Sequence, residues 1–244
     1  MPRWVLPGLV IGALGVACTE TPTRPTDSPR LSSTRFMAFG DSITAGEVTV
    51  PVSRADDDHR VGSMVVVPSA SYPAVLADLL RSGYPTQADS IQVVNEGKPA
   101  EAAAVAMPRF LAALETHRPE AVLLMEGYND VCCGGMTVGR NVAAAVGALA
   151  AEARRRGARV FVATLAPSKP GFRAGSPEAL AGFNEAIPIY VAMGHDVLVD
   201  VFWSLQQDID ANIGVDGLHP TEVGYRRIAQ AFYVAIRATL EVPR

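Results

Sequence analysis

The chain has 244 residues, 49% of them hydrophobic and 19% charged, with a formal net charge of -4. That balance is too apolar and too weakly charged for a disordered chain, and it carries no basic footprint for nucleic acid. Three cysteines are too few for a disulfide-built scaffold, and the length suits one sizeable domain with a real core.

The N-terminal segment, residues 1–17, reads as an export signal: Arg3, then an uncharged apolar run from Trp4 to Ala17. The run is shorter than the ~18 residues a spanning helix needs, and Pro7 interrupts it. An apolar helix packed on the domain is the other reading. Leu14-Gly15-Val16-Ala17-Cys18 resembles the lipobox of bacterial lipoproteins, which implies export, lipidation of Cys18 and contact with a membrane through that anchor only. Gly15 stands where that motif prefers an aliphatic residue. Ordinary cleavage after Ala17, giving a periplasmic or secreted protein, is the alternative. Residues 18–35 are rich in Pro, Thr and Ser with no apolar period, so they are expected to form a tether, and the globular domain to run over 36–244.

Within that domain Phe36-Met37-Ala38-Phe39 is a short apolar run ending at Gly40-Asp41, a strand followed by a turn. Residues 47–70 read as a long irregular stretch with an acidic cluster, Asp56-Asp57-Asp58. Its length suggests a lid or binding loop beside Ser42, and its consecutive carboxylates do not match a calcium loop. Helical spacing over Tyr72–Leu80, a strand at Ile91–Val94, a helix over Ala102–Leu114 and a strand at Ala121–Met125 follow. An alanine-rich helix over Asn141–Arg156 ends in three arginines, which suit the negative end of its dipole. Then come a strand at Arg159–Leu165, a helix over Glu178–Val191 with a kink expected at Pro188, a fifth strand at Val197–Val201 and a final helix over Thr221–Leu240. Short strands alternating with helices, with no hairpin signal, argue for a parallel sheet covered on both faces. The expected fold is α/β, a three-layer α/β/α sandwich on a five-stranded parallel sheet, flavodoxin-like in type.

Ligands of such sheets bind outside the carboxyl ends of the strands, and polar clusters fall there. Ser42 follows Gly40-Asp41 in a strand-to-helix turn, where its hydroxyl can be exposed and its N–H lies near a helix N-terminus. In isolation such a serine is more often a helix cap than a nucleophile. Asn95-Glu96-Gly97-Lys98-Pro99-Ala100-Glu101 is a turn with free backbone donors, and Gly127-Tyr128-Asn129-Asp130 offers a side-chain amide. In Asp216-Gly217-Leu218-His219 the aspartate can reach one imidazole nitrogen and leave the other free as a base, or simply form an Asx-turn before Pro220.

Taken together, Gly40-Asp41-Ser42, Gly127-x-Asn129-Asp130 and Asp216-x-x-His219 resemble the sequence blocks of the SGNH, or GDSL, hydrolases over essentially all of residues 36–240. The resemblance implies a serine ester hydrolase with Ser42 as nucleophile, His219 as base, Asp216 as its orienting partner, and an oxyanion hole from Ser42, Ala100 and Asn129. It implies acyl esters of small molecules or carbohydrates as substrates, and neither cofactor nor metal. The second block departs from the family pattern, since Ala100 occupies the position of the oxyanion glycine. An alanine keeps the N–H but is strained if the turn needs a positive φ, and Gly97 is the rival donor. Thioesterase, lysophospholipase or polysaccharide deacetylase activity, a catalytically silent binding lipoprotein and a flavin protein are the alternatives.

His59, His117 and His195 lack a spaced partner and read as surface or loop residues. Trp203 and Phe172 are candidates to line a cleft or simply to pack. Cys132-Cys133 directly follow the Asn129 loop; two free thiols are favoured over a vicinal disulfide, because neighbouring Cα atoms are only ~3.8 Å apart.

Overall fold

The structure is a computed structural model that describes Met1, residues 29–51 and residues 62–242. The expectations for the export signal, Cys18 and most of the tether, and for Asp56–Asp58 and His59, lie outside the described residues.

The described chain opens with β1 (Arg30–Leu31), β2 (Arg35–Gly40) and the one-turn helix α1 (Ser42–Ala45). Next come β3 (Glu47–Pro51), β4 (Gly62–Val66), α2 (Tyr72–Gly83), β5 (Gln92–Gly97), α3 (Met107–His117) and β6 (Ala121–Met125). The second half contains α4 (Met136–Arg155), β7 (Arg159–Ala163), α5 (Pro177–Gly194) and β8 (Val197–Val199). It closes with α6 (Val201–Gln206), α7 (Ile209–Asn212), α8 (Glu222–Leu240) and β9 (Glu241–Val242).

All five residues of β6 and the last five of β2 are buried, as expected of central strands covered on both faces. The main sheet is five-stranded in the order β5-β2-β6-β7-β8, and every pair in it is parallel. This is the expected α/β sandwich with flavodoxin-like strand order. Helix α2 packs on α8 over one face, and α4 packs on α5, with α3 beside α4, over the other. The chain direction across the sheet reverses between β2 and β6, the point at whose carboxyl ends such sheets are expected to bind ligands.

The structure corrects the sequence reading in three places. Residues 47–51 and 62–66 form an antiparallel hairpin, with Glu47 opposite Val66 and Pro51 opposite Gly62, where an irregular stretch without a hairpin was expected. The two runs are too far apart for a tight-turn signature, and tight turns are what sequence patterns reveal best. Packing also starts before residue 36: β1 pairs with β9, Leu31 is buried, and its N–H and C=O are both bonded by the Gln87 side chain. A single apolar residue in a polar stretch has no period to betray it. Finally, the fifth strand ends at Val199 rather than Val201, and α6 and α7 separate it from the Asp216 loop.

Candidate active site

Ser42 is the first residue of α1, directly after the buried strand β2. Asp41 caps this helix by accepting the Ile43 N–H at 3.0 Å, and its other oxygen accepts the Tyr128 N–H at 3.3 Å. The same carboxylate therefore ties the turn after β2 to the loop after β6. Burial raises the Asp41 pKa, against the pull of those two N–H groups.

The Ser42 Oγ lies 2.9 Å from Nε2 of His219, and His219 Nδ1 lies 2.5 Å from Oδ2 of Asp216. The second Asp216 oxygen accepts the N–H groups of Leu218 and His219, each at 3.1 Å. Burial opposes ionisation of Asp216, but the His219 ring and the Leu218 N–H outweigh it and hold its carboxyl below the usual range. An ionised Asp216 fixes the proton of a neutral ring on Nδ1 and leaves Nε2 to accept from Ser42. Asp216 and His219 are fully buried and Ser42 nearly so.

Ala100 adopts φ 61°, the left-handed conformation that glycine occupies without strain. Its N–H and that of Ser42 donate to no acceptor among the described residues. The N–H of Gly97, by contrast, is taken by Oδ1 of Asn95 at 2.9 Å. A Cβ on Gly97 would lie 2.1 Å from the Ala45 nitrogen, so this glycine serves close packing of β5 against α1. Asn129 donates through Nδ2 to the Glu101 carbonyl at 2.7 Å, which orients its amide toward the turn that holds Ala100. Asp130 accepts the Ala103 and Ala104 N–H groups at 2.7 and 3.3 Å.

Several residues around the site had no role in the sequence reading. Arg109 bonds the Glu101 carboxylate through Nε at 2.7 Å and the Gly40 and Glu96 carbonyls through Nη2 and Nη1. Its guanidinium lies 3.8 Å from the centre of the Phe39 ring. Glu126 is buried, with Oε1 accepting the Gly127 N–H at 3.0 Å and Oε2 unpartnered among the described residues. Burial, and then the neighbouring Asp41, push its carboxyl far above the usual range, which favours the neutral acid. An acid placed directly after five buried strand residues was a readable signal. Glu47, at the start of β3, brings Oε2 to 3.3 Å from His219 Nε2; nothing in the sequence marks that contact.

Of the other residues singled out, His117 lies 2.7 Å from a Glu96 carboxylate oxygen, so it does have a partner, and His195 ends α5. Phe172 is exposed in a loop whose neighbours Lys169 and Arg173 bond the backbone of Gly217 and Asp216. Trp203 instead lines a groove with β8 and α8 at the far edge of the sheet. Cys132 and Cys133 are free and exposed, with Sγ atoms 3.1 Å apart.

A flavodoxin-like sandwich carrying a linked serine, histidine and aspartate at the carboxyl ends of its strands defines a class of hydrolases. The sequence profile of the GDSL-like lipase/acylhydrolase family matches residues 38–227, and the chain belongs to that family of esterase/lipase-type hydrolases. Among solved structures, a lipase/acylhydrolase from Enterococcus faecalis is 21% identical with a TM-score of 0.62, covering 86% of this chain and 97% of the other. An acetylxylan esterase from Geobacillus stearothermophilus is 19% identical with a TM-score of 0.63, covering 84% and 95%. A protein of Acetivibrio thermocellus named as a proposed endoglucanase is 28% identical over 124 residues, and the match spans about half of each chain, 49% of this one and 51% of the other.

Proposed function

We propose that the protein hydrolyses carboxylic esters through an acyl-enzyme on Ser42. The observation that carries this reading is the continuous chain from Ser42 Oγ through His219 to Asp216, at 2.9 and 2.5 Å. His219 takes the Ser42 proton as Oγ attacks the ester carbonyl, and Asp216 steadies the imidazolium that results. The N–H groups of Ser42 and Ala100 and the amide of Asn129 stabilise the oxyanion. His219 then protonates the departing alkoxide, and water attacks the acyl-enzyme by the same route to release the acid.

The proposed substrates are acyl esters of small molecules or carbohydrates; the fold shared with an acetylxylan esterase is compatible with that choice. The apolar run before Cys18 supports export with attachment to a membrane through a lipid on that cysteine. Two measurements test the activity. A fluorophosphonate probe should label the protein at Ser42 and leave Ser42→Ala unlabelled. A series of model esters from acetyl to long-chain acyl, with acetylated xylan alongside, should show turnover by the unmodified protein that Ser42→Ala loses. Absence of labelling would point to a silent binding protein, and preference for thioesters or lysophospholipids to a different acylhydrolase.

A further inference from the structure

The Glu47 carboxylate occupies an unusual place for a negative charge. Its Oε2 lies 3.3 Å from His219 Nε2, the same nitrogen that lies 2.9 Å from Ser42 Oγ. With the ring proton on Nδ1 facing Asp216, Nε2 presents a lone pair, so it has nothing to donate to Glu47 in the resting enzyme. The backbone holds Glu47 in position: Tyr225 donates its hydroxyl to the Glu47 carbonyl at 2.5 Å, and β3 pairs Glu47 with Val66. The side chain is largely buried, and among the described residues its ion-pair distance contact is to His219 alone. Among the described residues no hydrogen-bond donor reaches this largely buried carboxylate, and ionised carboxylates accept but do not donate.

Catalysis brings a donor to it. The alcohol oxygen released in the first step must sit ~3 Å from His219 Nε2 to receive its proton. Glu47 Oε2 therefore falls within about 6 Å of that oxygen, the range in which a hydroxyl on the adjoining carbon of the alcohol can bridge the two. We propose that Glu47 is a specificity-determining residue that accepts a hydrogen bond from a hydroxyl neighbouring the scissile ester. The preferred substrates are then acyl esters of polyols, sugar units included, with the adjacent position free. This inference rests on the ester-hydrolase reading above and narrows it on the alcohol side.

The test compares 2-hydroxyethyl acetate with 2-methoxyethyl acetate, which differ in whether the neighbouring oxygen can donate. The enzyme should favour the hydroxyl compound by about tenfold or more in kcat/KM, as for a hydrogen bond to a charged group. Glu47→Ala should bring the ratio close to one. Glu47→Gln, which keeps a neutral acceptor oxygen, should retain part of the preference. A ratio near one in the unmodified enzyme overturns the inference. So does an unchanged ratio in Glu47→Ala, including the case where both esters slow equally, since Glu47 would then act only through His219. If Glu47→Ala does not fold, the unmodified ratio and Glu47→Gln still decide the matter. Fluorophosphonate labelling and 4-nitrophenyl acetate turnover of the unmodified enzyme test the hydrolase reading separately: an active, labelled enzyme without hydroxyl preference loses only the role of Glu47.

Discussion

Ala100 sits at φ 61°, where an L residue bears a cost of about 1–2 kcal/mol that glycine escapes. Part of that gain is returned as extra entropy in the unfolded chain, so Ala100→Gly should stabilise the protein by up to about 1 kcal/mol while keeping the backbone donor. A raised melting temperature with esterase turnover retained is the expected result. Removing the Asn129 amide with Ala should lower kcat by ~10²–10³, as for other oxyanion donors, with melting nearly unchanged. Glu126 gives a pH signature. Its folded-state pKa is raised above the ordinary value of 4.5, so the native protein keeps a proton that the unfolded chain releases. The associated stability is complete below pH 4.5 and falls as pH rises, by up to ~1.4 kcal/mol per unit while the native carboxyl stays protonated. Glu126→Gln should flatten that slope, so urea midpoints of the two proteins should diverge from pH 5 to pH 8 in favour of the variant. Parallel curves would mean that Glu126 is already ionised in the native state.

At the scale of elements, β5 and α1 meet backbone to backbone at Gly97, where a Cβ would sit 2.1 Å from the Ala45 nitrogen. Gly97→Ala must displace the helix that starts at Ser42, so stability should drop by about 1–3 kcal/mol and turnover should fall with it; a variant as active as the parent would show that α1 tolerates the shift. This junction also shows what sequence can and cannot reveal. Strand β6 was readable to the residue because Ala121–Met125 is an unbroken apolar run that ends in polar loop residues. Ser42, Asn129, Asp216 and His219 were readable because each lies in a short local motif at a strand end or before a helix. The β3–β4 hairpin was not, since Val48 and Val65 become partners only through pairing across a long connection. Arg109 and Glu47 were equally hidden. Each meets its partners through tertiary packing, and a lone charged residue in a sequence looks like any solvated one.

The whole molecule is closed by its own ends: Arg30 lies opposite Val242 and Leu31 opposite Glu241. A chain beginning at residue 29 keeps this strand pair. One beginning at Arg35 loses the buried Leu31 and leaves the Gln87 side chain without its two backbone partners. That loss should cost about 3 kcal/mol, or roughly 10 °C in melting temperature; equal melting of the two truncated chains would show that β1 contributes nothing. The strand pair has a second consequence, one of orientation. Strand β1 enters the fold at the amino ends of the parallel strands, whereas Ser42 and Asn129 follow their carboxyl ends. The chain before β1 therefore joins the domain at the pole opposite its catalytic residues. Whatever is joined there, a tag or a support, leaves the face that carries Ser42 and Asn129 open to solvent-borne esters.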